Sequence, residues 1–223
     1  MKGFWRLAAL TLIVGGAALT VGITSVGAKS SSNTITYQDS VGEDPASLDI
    51  KSVVVSNDDS GILSFAIALA NPPAALTGHN DVGVYIDTDN NTSDGAGADY
   101  AGAELNFEVA DGSVNVYKWD GTNFTWSGPE PSSLVYSYAA GVVTIRVKAS
   151  DVSLGTFAFW VLTDTDYTDP NSHLDVAPDA GRALYPFQVK ITPPAPAPKP
   201  VPHKTIPKCK KGHHSTKAHP CHK

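Results

Sequence analysis

The sequence predicts an all-β fold, an antiparallel two-sheet β-sandwich of about nine or ten strands. Three observations predict it. After residue 30, apolar residues recur with a period of two, and helical periodicity is nearly absent. Gly, Asn and Asp interrupt the alternating runs at short intervals, as turns between short strands require. No internal repeat of solenoid or propeller length stands out. Many short strands with turns at this spacing make a sandwich, with a barrel as the lesser alternative.

Residues 1–28 read as a signal peptide outside the fold. Lys2 and Arg6 precede an uncharged apolar stretch at 7–23, and Val26-Gly27-Ala28 offers small residues for cleavage before Lys29. The uncharged stretch continues to residue 28, so an uncleaved membrane anchor is the alternative. Either way the expectation is an exported chain, secreted to the extracellular side or held at the cell surface.

The sandwich domain is expected over residues 30–192. Strands are predicted at 34–37 and 50–56, then in GILSFAIALAN, where Leu63, Phe65, Ile67 and Leu69 alternate with small residues. Val82, Val84 and Ile86 alternate in DVGVYIDTD, and Leu105, Phe107 and Val109 in AELNFEVAD. Val143, Ile145 and Val147 follow, then Phe157, Phe159 and Val161, and Phe187, Val189 and Ile191 close the domain. Residues 193–207 form a proline-rich linker, extended and semi-rigid, and 208–223 a disordered basic tail of Lys, His and Cys.

Two Asp-Gly pairs fix expected registers. If Asp111-Gly112 is a two-residue turn, Val109 faces Val114, Phe107 faces Val116 and Leu105 faces Lys118. The opposite face then pairs Glu104 with Trp119, Asn106 with Tyr117 and Glu108 with Asn115. If Asp120-Gly121 is also a two-residue turn, Tyr117 faces Phe124 and Asn115 faces Trp126 on that same face. One surface would then present Tyr117, Trp119, Phe124 and Trp126 among Glu104, Asn106 and Asn115. Flat aromatics flanked by acids and amides suit a sugar, whose apolar face stacks on rings while its hydroxyls meet polar groups. The same aromatics also serve as cross-strand pairs of an exposed sheet, or as core if a bulge shifts the register.

The order of these strands carries a resemblance. DPASLDIKSVVVSNDDSGILSFAIALAN, then DVGVYIDTDNN, then GVVTIRVKASDV followed by FAFWVLTDTD, resembles family 9 carbohydrate-binding modules and the related DOMON-type sandwiches. The resemblance spans roughly residues 44–191 and includes a short turn at 149–154. It implies the sandwich fold, in families whose members bind sugars, haem or other small molecules, or nothing known. A Met-ligated haem is excluded in a processed chain, because the only methionine is Met1.

Calcium is the candidate cofactor. Asp87, Asp89 and Asn91 place oxygens at alternate positions after a strand, with Asp94 and Asp99 further on. Such spacing wraps a hard cation that takes about 6–8 oxygens. Thr92 stands where an EF-hand loop has glycine, so an EF-hand is not expected. A second acidic loop with Asp164, Asp166, Asp169, Asp175 and Asp179 is a further contributor. Asp and Asn are also ordinary turn residues.

All acids lie between Asp39 and Asp179. Residues 30–193 hold 22 acids against six bases, a net of −16, whereas the last thirty residues carry seven lysines and no acid. The acidic body argues against nucleic acid as partner. The tail suits anionic cell-wall polymers or acidic lipids, and its C-x-K-G…C ending is similar to those of exported actinobacterial proteins. Cys209 and Cys221 are the only cysteines and are expected to form a disulfide; zinc or copper held with the tail histidines is the alternative. His79 and His173 lack a nucleophile motif, and no catalytic constellation is evident. The sequence thus points to a non-enzymatic, exported carbohydrate-binding domain, its partner a polysaccharide or cell-wall polymer. A structural or surface protein without a small ligand, and a glycoside hydrolase-type enzyme, are the alternatives.

Overall fold

The computed structural model describes residues 33–76, 78–126, 128–179 and 184–192. The signal peptide, the proline-rich linker, the basic tail and the Cys209–Cys221 pairing lie outside the described residues. Within them the chain is a β-sandwich of two antiparallel sheets. The first sheet has the order β1 (Asn33–Gln38), β2 (Ile50–Asn57), β3 (Ile62–Leu69), β9 (Val142–Lys148), β8 (Val135–Ala139). The second has the order β11 (Leu174–Ala177), β10 (Thr156–Asp164), β4 (Asp81–Asp87), β5 (Leu105–Ala110), β6 (Ser113–Trp119), β7 (Phe124–Trp126), and β12 (Tyr185–Gln188) pairs with β10 beside β11. Single 3₁₀ turns occur at Ala98–Tyr100 and Ala149–Asp151, the latter within the short turn the sequence suggested.

The alternating positions do what period-two patterning demands. Leu63, Phe65, Ile67 and Leu69 of β3 point inward, as do Val143, Ile145 and Val147 of the paired β9. From the opposite sheet come Val82, Val84 and Ile86, Leu105, Phe107 and Val109, and Phe157, Phe159 and Val161. Phe65 sits among three of these rings, 5.2 Å from Phe159, 6.1 Å from Phe157 and 6.2 Å from Phe107 between centroids. These aromatics fill the space between the sheets and tie them together.

Among the described residues twelve strands form, against the nine or ten expected. The additions are β8 and β11, of five and four residues, both at sheet edges. Short edge strands bury one residue in two on a single face, which leaves little pattern to read. The last strand also differs: it starts at Tyr185 and ends at Gln188, so Val189 and Ile191 lie beyond it and Ile191 is exposed.

The β5–β6 hairpin has the expected register, with Phe107 opposite Val116 and Asn106 opposite Tyr117. Asp111 (φ 50°) and Gly112 (φ 75°) both take the left-handed backbone that a primed two-residue turn needs. A Cβ at Gly112 would approach nothing closer than Tyr136 Oη at 3.8 Å, so Gly112→Ala tests backbone preference alone. It is expected to lower stability by about 1–2 kcal/mol in urea unfolding.

The β6–β7 turn departs from expectation. Trp119 pairs with Phe124 and Tyr117 with Trp126, two residues out of the predicted register, so Tyr117 does not face Phe124, nor Asn115 Trp126. The Asp120 carboxylate accepts from the backbone N–H of Thr122 and of Asn123, at 2.8 and 2.9 Å, and the Asp120 N–H donates to the Asn123 carbonyl. These bonds close a four-residue loop and outcompete the tighter turn. A slip of two preserves side-chain parity, so the residues stay on the predicted face.

Candidate functional site

The outer face of the second sheet holds the predicted platform. Cross-strand pairing lines up Trp160 (β10), Tyr85 (β4), Asn106 (β5), Tyr117 (β6) and Trp126 (β7) in one row. The neighbouring row carries Leu162, Gly83, Glu108 and Asn115. On the other side, Glu104 accepts from the Trp119 N–H through its carbonyl, and Trp119 pairs with Phe124. All seven predicted ligand-binding residues therefore lie on or at the end of one face, in two different environments.

One part is dry. The segment 88–104 folds back over the sheet and forms a second, smaller hydrophobic cluster with it. Tyr85 and Trp160 stack at 4.3 Å with planes 10° apart, and the Trp160 indole N–H donates to the Tyr100 carbonyl at 3.1 Å. Phe124 joins this cluster edge-on, 5.7 Å from Tyr85 and 5.3 Å from Tyr100. This second cover buries Tyr85 on the outward side of β4, a strand buried throughout where its alternation led to the expectation of one-sided burial. The unbroken apolar run FAFWVL of β10 is the sequence signal for the same thing.

The other part faces solvent. Trp126 is 58% exposed, and Tyr117, Trp119, Asn115 and Glu108 are half-buried. Glu130 fixes Trp126: one carboxylate oxygen accepts from its indole N–H at 2.6 Å and the other from the Val116 N–H at 3.0 Å. That second bond satisfies a β6 donor beyond the end of β7. Asn106 is 2% exposed; its amide N–H donates to Glu108 at 3.4 Å, and its carbonyl oxygen has no hydrogen-bond partner.

Carboxyl groups crowd the edge of this face. Asp81, at the start of β4, is 7% exposed, with one carboxyl oxygen lacking a partner. Burial first, then the charges of Glu108 and Asp164, push its pKa up to about 8. Burial raises Glu108 as well. Asp81 is therefore predominantly protonated at neutral pH. In the sequence Asp81 is indistinguishable from an ordinary turn residue, because Asp commonly flanks strands.

The predicted cation ligands separate. Asp87, Asp89 and Glu104 come together, each offering an oxygen within 4.8 Å of the others. Asp94 and Asp99 are outside this group: Asp94 accepts from the Asn91 side-chain amide at 2.7 Å, and Asp99 sits on the Ala98–Tyr100 turn. Asn91 turns its side-chain oxygen back to the Ser93 N–H. Glu104, expected to meet a sugar, instead accepts from the Thr88 N–H and hydroxyl at 2.8 and 2.9 Å.

The second acidic loop does not reach the first. Asp175 and Asp179 gather with Asp39, a residue the sequence did not mark. Burial, then Asp179 and Asp175, push Asp39 up to about 7. His79 and His173 are half-exposed beside Asp111 and Asp44, at 3.6 and 2.6 Å.

Among the described residues, no helix is long and apolar enough to cross a membrane. Comparison with protein-family models, with curated proteins and with solved structures gives no match.

Proposed function

We propose that the chain is an exported, non-enzymatic β-sandwich that binds a polysaccharide or cell-wall polymer on the outer face of its second sheet and is held near the cell envelope by its basic tail. The observation that carries this reading is the solvent-facing pair of Tyr117 and Trp126, with Trp126 anchored by Glu130 and with Glu108 and Asn115 alongside. A pyranose stacks its C–H face on such rings, and the carboxylate and amide take its hydroxyls. Trp126, already hydrogen-bonded to Glu130, loses less freedom on binding than an unanchored ring would. The export signal and the C-terminal lysines supply the location.

The uptake of Phe124 into the second cluster favours a second reading, in which the face is structural and takes no small ligand. Trp126→Ala separates the two. In a polysaccharide pull-down or glycan array with the full chain, it is expected to weaken binding about tenfold, on the order of 1.4 kcal/mol. Stability should change by less than about 0.5 kcal/mol, as at an exposed position. A wild-type chain that binds no glycan leaves the structural reading standing.

A further inference from the structure

We propose that Asp87, Asp89 and Glu104 hold a hard divalent cation, calcium by preference, which staples the 88–104 segment to the end of β4. The three residues come from the two ends of that segment: Asp87 closes β4, Asp89 follows it, and Glu104 immediately precedes β5. Their oxygens converge within 4.8 Å.

Convergence alone would be an ordinary acidic cluster. The decisive observation is at Asp87, which is 1% exposed. Its Oδ1 accepts from the Asp89 and Asn91 N–H groups at 3.3 and 3.1 Å, while its Oδ2 is buried with no hydrogen-bond partner. A buried carboxylate oxygen without a donor costs free energy unless a proton or a cation meets it. Asp89 and Glu104, the groups brought beside Asp87, are themselves carboxylates and supply no donor. A divalent cation relieves both the missing partner and the like-charge repulsion.

The segment is built tightly around this point. Glu104 is held by Thr88 through one oxygen, and its other oxygen lies only 2.5 Å from where a Cβ of Gly95 would be. Gly95 (φ 51°) therefore admits no side chain. Three carboxylates, with no imidazole or thiolate in the group, are donors for a hard ion rather than zinc or copper. Backbone carbonyls and water can complete the flexible shell calcium accepts, whereas magnesium demands a near-ideal octahedron.

The inference is independent of glycan binding, and its test uses no glycan. The full chain, stripped with chelator, is titrated with calcium chloride in a calorimeter and melted with and without the ion. Saturable binding is expected, with a melting temperature raised by roughly 5–10 °C at a hundredfold excess over the dissociation constant. Magnesium should bind more weakly. Asp89→Asn is exposed and keeps its turn acceptor, and Glu104→Gln keeps an acceptor for Thr88. Each should remain folded and lose about tenfold or more in calcium affinity. A folded wild type that neither binds nor is stabilised by calcium overturns the proposal. So does binding that survives both substitutions unchanged.

Discussion

Trp160→Ala is expected to lower the stability of the domain by about 3–5 kcal/mol and to loosen the 88–104 segment from the sheet. Trp160 is 2% exposed and contributes to the second cluster in three ways. Its ring stacks on Tyr85, it fills the space beside Ala101 and Ala103, and its N–H satisfies the Tyr100 carbonyl. Truncation removes the buried area, leaves a cavity and orphans a carbonyl at once. Urea unfolding measures the loss, and amide exchange localises it. Exchange should accelerate within 88–104 while β2, β3 and β9, on the far sheet, keep their protection. Trp160→Phe retains a ring without the N–H and should cost less. A Trp160→Ala loss below about 1 kcal/mol with unchanged exchange would show that the segment holds without this anchor.

Asp81→Asn should stabilise the protein in mildly alkaline solution and flatten its pH dependence. The folded-state pKa of Asp81 stands at about 8, raised from 3.8 mainly by burial. Between those values the unfolded chain has released the proton and the folded chain still holds it. Stability therefore falls as pH rises from about 4 to 8, and the penalty is complete above 8. Its upper bound is about 6 kcal/mol, for the whole interval. Asp39, pushed up to about 7, acts in the same direction, with a smaller effect because it is less buried. Asn at position 81 carries no charge to desolvate, and its amide can donate toward Glu108 or Asp164. Melting temperatures across pH 4–9 provide the check. A wild-type curve that rises through this window, or a variant curve of equal slope, contradicts the assignment.

The legible and illegible parts of the fold differ in the range of the interactions behind them. The β5–β6 hairpin could be read to the residue, because Asp111-Gly112 meets the positive-φ demand of a two-residue turn and alternation fixes the faces. The next turn looked the same in sequence but was decided by competition, when the Asp120 carboxylate captured two backbone donors and lengthened the loop. The face assignment of Tyr117, Trp119, Phe124 and Trp126 survived that error only because the slip was even.

Within the candidate site, the side on which each residue stands was legible; whether that side is wet was not. Nothing local distinguishes Phe124, drawn into the second cluster, from Trp126, left 58% exposed. The path of residues 88–104 decides it. The same path takes Glu104 from the expected sugar surface to Asp87 and Asp89, and sets Asp94 and Asp99 apart from them.

By itself the sequence determined an antiparallel sandwich, the inward set of each long strand, the face of the aromatic row and the division between acidic body and basic tail. Period-two alternation and charge are properties of neighbours along the chain, and they persist whatever the rest of the molecule does. Only the tertiary structure decided that the second sheet is covered on part of its outer face, that Asp81 is buried beside other acids, and that Asp87 meets Glu104. The first and the last follow from the 88–104 segment closing back on the sheet, and the second from the β4–β10 pairing that sets Asp81 opposite Asp164; in each, long-range packing rather than local preference sets the free energy.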